Sequence, residues 1–220
     1  LLANDLKNHQ GLYLMDVESG NLTPLMQLRD VYMSGVVWSR NGEAIYYRRL
    51  DYSSHTPSIV VRDLKTGQER EIVRADPGGS PASFDLSPDG QWVVFRSLDR
   101  ATGVGTLNVV SSGGGKIREL VRAEKGESLP GYPALAWTPD GSRVLFTKGG
   151  TSSQGQKYEL WSIPAEGGEP QKTDLAIAGA GLRDLRVHPD GQRIAYTAGE
   201  PMKSEVWVME NFLPALRAAK

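Results

Sequence analysis

The chain has 220 residues, enough to bury a sizeable core as one large domain or two small ones. Its 25 Lys and Arg residues against 26 Asp and Glu give a net charge of -1, which argues against a nucleic-acid or anionic-membrane partner. With no cysteine, disulfides, thiolate zinc sites and cysteine nucleophiles are excluded, and no apolar run approaches the roughly 20 residues of a membrane helix.

The chain opens LLANDLKNHQ, with no initiator Met and no basic-then-apolar leader, so a fragment or processed form of a longer protein is expected. LLAN reads as the end of a strand. GLYLMDVESGNLTPLM (11–26) reads as strand, Gly-containing turn, strand: a hairpin. A strand ending at Trp38 meets the turn Arg40-Asn41-Gly42. The strand after it places Ile45 and Tyr47 on one face. The segment RRLDYSSHTPS (48–58) then leads into a second hairpin, SIVVRDLKTGQEREIV (58–73).

The same plan returns three times. Pro88-Asp89-Gly90 precedes Val93 and Phe95, and a hairpin follows at 106–121. Pro139-Asp140-Gly141 precedes Val144 and Phe146, with a hairpin at 159–173. Pro189-Asp190-Gly191 precedes Ile194 and Tyr196. EVWVMEN (205–211) begins a fifth hairpin, and FLPALRAAK is expected to form a short terminal helix or an irregular tail. In each turn Pro pre-sets φ, Asp or Asn bonds its own backbone, and Gly accepts a positive φ.

Aligned on the turn, Trp38, Leu86, Trp137 and Val187 are spaced 48, 51 and 50 residues apart. Four strands in a period of this size point to a propeller. The second strand is apolar on one face, and its other face is only partly polar: Trp92 and Val94, Arg143 and Leu145, Arg193 and Ala195. Both faces are therefore expected to be covered, as in a sheet packed between two others. The expected fold is all-β, a β-propeller of four-stranded antiparallel blades. About five blades are represented, near 1–30, 31–77, 78–124, 125–175 and 176–211, with a tail at 212–220. The first blade lacks its strand 1 and the last its strand 4. Simple closure within the chain is therefore not expected; upstream blades or an upstream domain are, the alternative being an open arc with exposed edges.

LSPDGQWVVFRS, WTPDGSRVLFTK, VHPDGQRIAYTA and the weaker WSRNGEAIYYRR resemble the PD40 repeat of TolB-like β-propellers, and the hairpins DLKTGQEREIV and PAEGGEPQKT match its second half. The resemblance covers essentially the whole chain and implies the propeller fold. It implies less about activity. Similar repeats occur in periplasmic TolB, which binds partner proteins, in the gating propellers of prolyl-oligopeptidase-like peptidases, and in some sugar lyases. They also occur in sensor-like domains fused to bacterial kinases or winged-helix regulators, whose C-terminus the tail EVWVMENFLPALRAAK resembles.

Motifs for chemistry are sparse. There is no Gly-x-Ser-x-Gly: Gly78-Gly79-Ser80-Pro81-Ala82 lacks the second Gly. Ser112-Gly113-Gly114-Gly115-Lys116 is a hairpin tip with no following helix, so it reads as a turn and not as a phosphate loop. Asp89, Asp140 and Asp190 read as turn residues rather than a metal ring, since the first copy carries Asn41. His9 and His55 share a set of loops, and a metal or acid–base pair there is weighed against simple solvation, which is favoured. Repeat-equivalent tryptophans, Trp38 with Trp137 and Trp161 with Trp207, are expected in the core, as is Trp92.

The turn ends of the blades are uniform, whereas the opposite ends carry longer, varied segments: 27–35, 48–58, 74–83, 97–105, 122–134, 147–157 and 174–184. A rigid scaffold with variable loops places function on the loops. They offer Tyr32, Tyr52, His55, Arg100, Tyr132 and Arg183, residue types enriched at binding hot spots. The expected role is a non-catalytic recognition or sensor platform for a protein or small ligand, without a cofactor, in an extracytoplasmic compartment; the alternative is the propeller domain of an enzyme, either the gating propeller of a prolyl-oligopeptidase-like serine peptidase or a sugar lyase. Arg48, Arg49, Arg96 and Arg186 are expected to be solvated or structurally paired. No catalytic or metal-ligating residue is assigned.

Overall fold

The computed structural model describes residues 2–4, 10–28, 31–75, 80–124, 127–129, 135–152, 155–175, 180–200 and 203–210, and side chains over a narrower set within these. The chain divides into two compact units, Leu1–Pro77 and Gly78–Lys220.

The first unit holds two sheets. β1 (Leu2–Asn4), β2 (Gln10–Met15) and β3 (Leu22–Leu28) form a three-stranded antiparallel sheet in chain order. β4 (Val31–Trp38), β5 (Ala44–Asp51), β6 (Pro57–Asp63) and β7 (Glu69–Arg74) form a four-stranded one, also in chain order. Leu12 of the first sheet packs with Met33, Ile45, Tyr47 and Val60 of the second, all fully buried.

The second unit holds three sheets. β8 (Pro81–Leu86), β9 (Trp92–Leu98), β10 (Gly105–Ser111) and β11 (Arg118–Arg122) form a four-stranded meander. The next has five strands: β12 (Glu127–Ser128), β13 (Leu135–Trp137), β14 (Arg143–Ser152), β15 (Gly155–Pro164) and β16 (Gln171–Lys172). β12 and β13 both pair with β14, at Gly149–Gly150 and at Val144–Phe146. They are two pieces of one lane, so this sheet keeps the four-lane plan. β17 (Ala180–Val187), β18 (Arg193–Glu200) and β19 (Lys203–Glu210) complete the unit as a three-stranded sheet. The tail 212–220 lies outside the described residues.

Alternation explains the packing of the second unit. On β9, Val94 joins Leu107, Val109, Leu135, Trp137, Val144, Phe146 and Ile163 in one core cluster. On β14, the neighbours of Val144 and Phe146 point the other way: Leu145 packs with Ala136, Leu160, Leu185, Ile194 and Tyr196. The middle sheet is therefore buried on both faces, Val144, Leu145 and Phe146 being at most 2% exposed. Stacked sheets about 10 Å apart demand this of every strand lying between two neighbours.

The turns show why the Pro-Asp-Gly stretches recur. Asp140 Oδ1 accepts from Thr138 Oγ1 at 2.6 Å, Ser142 N at 3.1 Å and Ser142 Oγ at 2.9 Å. Asp89 accepts from Gln91 N, Asp190 from Gln192 N, and Asn41 from Glu43 N. The residue before the turn bonds the second strand: Ser39, Ser87 and Thr138 accept from the backbone N–H groups of Ala44, Trp92 and Arg143. Gly42, Gly90, Gly141 and Gly191 have φ of 72, 76, 69 and 69°, a region closed to most L residues. Each donates its N–H to the carbonyl three residues back.

A second device repeats in strand 1. The pairing of β4, β8 and β17 with the following strand slips by a bulge at Ser34/Val37, Pro81/Phe84 and Arg183/Arg186. Gly35 and Asp184, three residues before Trp38 and Val187, take φ of 64 and 52° there. The bulge bends the strand and re-aims the side chains near it.

Candidate functional site

At one end of the β4–β7 sheet, the connection from β5 to β6 is tied by Asp51. Its Oδ1 accepts from Ser53 N at 2.8 Å, Ser53 Oγ at 2.6 Å and Ser54 N at 3.1 Å. These bonds hold the Asp51 carboxyl below the usual range, the Ser53 hydroxyl contributing most. The turn presents Tyr52, 53% exposed, and His55 at φ 52°, also exposed. Tyr32 reaches the same end from β4, where it pairs with Leu50, and is 40% exposed. Tyr32, Tyr52 and His55 are thus gathered at one end of a single sheet. Tyr32 lies in a strand and not in a loop, because β4 starts at Val31.

In the second unit, Arg100 is exposed in the turn between β9 and β10. Asp99 ties that turn, accepting from Ala101 N at 2.9 Å and from Thr102 Oγ1 at 2.8 Å. Arg183 also lies in a strand, on β17 opposite Thr197. Tyr132 and His9 lie outside the described residues. The segment 147–157, expected as a long loop, is a hairpin: β14 and β15 pair continuously from Arg143↔Pro164 to Ser152↔Gly155. A run of ten cross-strand pairs satisfies the backbone far better than an open loop would.

The tryptophans divide. Trp137 is 5% exposed, and Trp161 packs against the same cluster. Trp38 is 50% exposed and Trp92 40%, so the expectation of core burial is corrected for these two. Trp137 lies against Asp85 of β8, the first strand of the preceding sheet. Among the described residues, the sheet preceding Trp38 begins at β1, which pairs with β2 from Gln10 to Leu12, and it has no strand in the lane that β8 holds. An apolar groove of 430 Å³ runs there, lined by Leu12, Leu14, Met15, Val36, Trp38 and Ile45.

At the turn end of the second unit is a cavity of 160 Å³ whose lining includes Asp89, Trp92, Arg118, Trp137 and Asp140. Its polar groups serve the scaffold. Asp89 and Asp140 bind their turns, and Arg118 Nη2 donates to the Ala165 carbonyl at 2.9 Å. His188 and Asp190 pair at 2.9 Å within the last turn. Among the described residues, no cluster of three or more His, Cys, Asp or Glu side chains could hold a metal ion. No helix there is long and apolar enough to cross a membrane.

The sequence places Arg96 among arginines expected to be solvated or structurally paired, and the structure corrects this. Arg96 of β9 is 4% exposed, and its Nε and Nη1 atoms are buried with no hydrogen-bond partner among the described residues. Arg49, by contrast, pairs with Glu69 at 3.1 Å. The clue in the sequence is positional. Aligned on the turn, Arg96 falls where the later copies have Thr147 and Thr197, on a strand whose two faces are both covered.

No curated protein matches the chain. Among solved structures, TolB from Acinetobacter baumannii matches with a TM-score of 0.70 and 18% identity, covering 92% of this chain and 46% of its own. The chain thus spans about half the length of that structure. A putative TolB from Agrobacterium tumefaciens matches at 0.66 and 14%, covering 96% and 67%. One of two prolyl endopeptidases described together matches at 0.59 and 16%, covering 82% and 28%. The family model described as the TolB beta propeller domain, PD40, matches residues 2–212, and the chain belongs to that family.

Proposed function

We propose that the chain is a non-catalytic recognition platform, binding a protein partner or a small ligand at the blade ends opposite the Pro-Asp-Gly turns. The observation that carries this reading is the contrast between the two ends. Turn-end polar groups are consumed by repeated hydrogen bonds, as at Asp140. The opposite ends expose Tyr52, His55 and Arg100 on turns tied by Asp51 and Asp99, and Tyr32 at the start of β4. Aromatic and Arg side chains on a rigid base suit recognition, since little ordering entropy is lost on binding. The likeness to TolB supports an extracytoplasmic location. A gating propeller of a serine peptidase is the alternative, favoured by the prolyl endopeptidase likeness; this sequence contains no Gly-x-Ser-x-Gly of its own.

The test is a photo-crosslinking residue placed at Tyr52 or Arg100, with a control at Asn41, in the chain expressed in its native cells. A specific adduct from 52 that is absent from 41 and diminished by Tyr32→Ala, or a specific adduct from 100 that is absent from 41, is expected. Adducts from 41 alone, or hydrolysis of a prolyl peptide by the purified chain, would overturn the reading.

A further inference from the structure

Arg96 stands two residues before the end of β9, on the approach to the exposed Asp99–Val104 turn. Its cross-strand partner is Leu107, and that face of the sheet packs against Leu129, Leu135 and Phe146. The guanidinium carries five donors and never gives up its charge at ordinary pH, so it is costly to bury alone. Among the described residues no carboxylate pairs with it. Glu127, on the facing sheet, is taken by Lys148 at 2.8 Å, and Asp99 by its own turn. Burial alone lowers the Arg96 pKa to about 10, with no opposing charge.

Two further features mark the surroundings as built. Gly105, beside Arg96 on β10, has no side chain where a Cβ would lie 3.2 Å from Arg96 Nη2 and 3.0 Å from Leu129 Cβ. Any larger residue would press on the guanidinium. Ser83 Oγ, in the bulge of the adjoining strand β8, is also buried with no partner among the described residues. Unmatched buried donors are uncommon in native proteins, and a buried guanidinium with two of them asks for a partner such as water, an ion or a ligand.

We infer that Arg96 is the anchor for a carboxylate group delivered from the loop end of this sheet. A carboxylate matches either edge of the guanidinium fork with two parallel hydrogen bonds. The crowding at Gly105 and Leu129 favours this small planar group over a bulkier tetrahedral anion. This inference rests on the proposed recognition role of the loop ends and names the chemistry recognised there.

The experiment uses the full chain, its parent form and Arg96→Met, at neutral pH and constant ionic strength, with chloride replaced by acetate or benzoate. The parent Tm is expected to rise saturably with the carboxylate. Arg96→Met, relieved of a buried charge, is expected to melt higher without ligand and to bind at least about tenfold more weakly. A tetrapeptide with a free C-terminus, compared with its C-terminal amide, separates a polypeptide terminus from a free small acid. An equal Tm rise in both proteins, or none in the parent, would overturn the site. Should Arg96→Met not fold, the Arg Nε–H resonances of the parent decide: no shift on adding benzoate sinks the proposal. Crosslinking at position 52 does not depend on Arg96, so the two readings fail separately.

Discussion

Trp137 reaches across from its own sheet to Asp85 of the preceding one, its indole Nε1–H directed at the Asp85 carbonyl and its backbone N–H at Oδ2, both at 3.4 Å. The distances are long for hydrogen bonds, so most of what this contact contributes is burial of the ring. Trp38, at the equivalent place in the first unit, has no such neighbour among the described residues and is half exposed. One repeat position therefore holds two tryptophans of very different worth.

Trp137→Ala should cost about 3–5 kcal/mol, the range for removing a fully buried aromatic ring. Trp38→Ala should cost about 1 kcal/mol, since half its surface already meets solvent. Urea unfolding followed by circular dichroism reads the difference. Equal losses would show that Trp38 is covered in solution.

Asp85 gives a pH signature. Burial raises its pKa, opposed by the charge of Arg186 and by the N–H groups of Trp137 and Leu86. The folded value lies above the ordinary 3.8, so the contribution of Asp85 is full below 3.8 and is lost as pH rises through the folded value. Asp85→Asn cannot ionise and should gain stability relative to the parent across that window. Parallel stability–pH curves for the two proteins would refute a desolvated Asp85.

Asp190 should behave in the opposite sense. The Gln192 N–H, Arg193 and His188 hold its carboxyl down at about 2, the backbone bond from Gln192 being the largest cause. Its contribution is present above the unfolded value of 3.8 and is lost as pH falls through about 2. Carboxyl NMR titration should find Asp190 ionised throughout the range in which exposed aspartates protonate. An ordinary midpoint would mean that the turn is open in solution.

Gly42→Ala and Gly141→Ala should each cost about 1 kcal/mol. At Gly42 a Cβ meets nothing within 4 Å, and at Gly141 only Pro88 Cδ at 3.7 Å. The penalty is therefore conformational, set by φ of 72 and 69°, and should be nearly the same at both sites. A marked difference in thermal stability between the two variants would point to crowding instead.

The turns were legible because their physics is local. Asp140 finds its partners within two residues and Gly141 sets its own φ, so Pro-Asp-Gly specifies the turn wherever it stands. Alternation likewise announced that Val144, Leu145 and Phe146 needed cover on two sides, and the period of about fifty residues supplied it as neighbouring sheets. From these alone the all-β propeller follows. The candidate loop ends were read from the same pattern; of their residues, Tyr32 and Arg183 prove to be strand residues, and 147–157 is a hairpin. Where a strand stops depends on how far its partner continues, and a single segment does not encode that.

Burial was the property that only the tertiary structure decided. Trp38 and Trp137 end the same strand of the same repeat, yet one meets water and the other Asp85. Arg96 looks like any charged residue beside a turn, yet it is buried beside Leu107 and against the facing sheet, with no counter-charge among the described residues. Local sequence sets which way a side chain points. What stands in that direction is set by a strand fifty residues away.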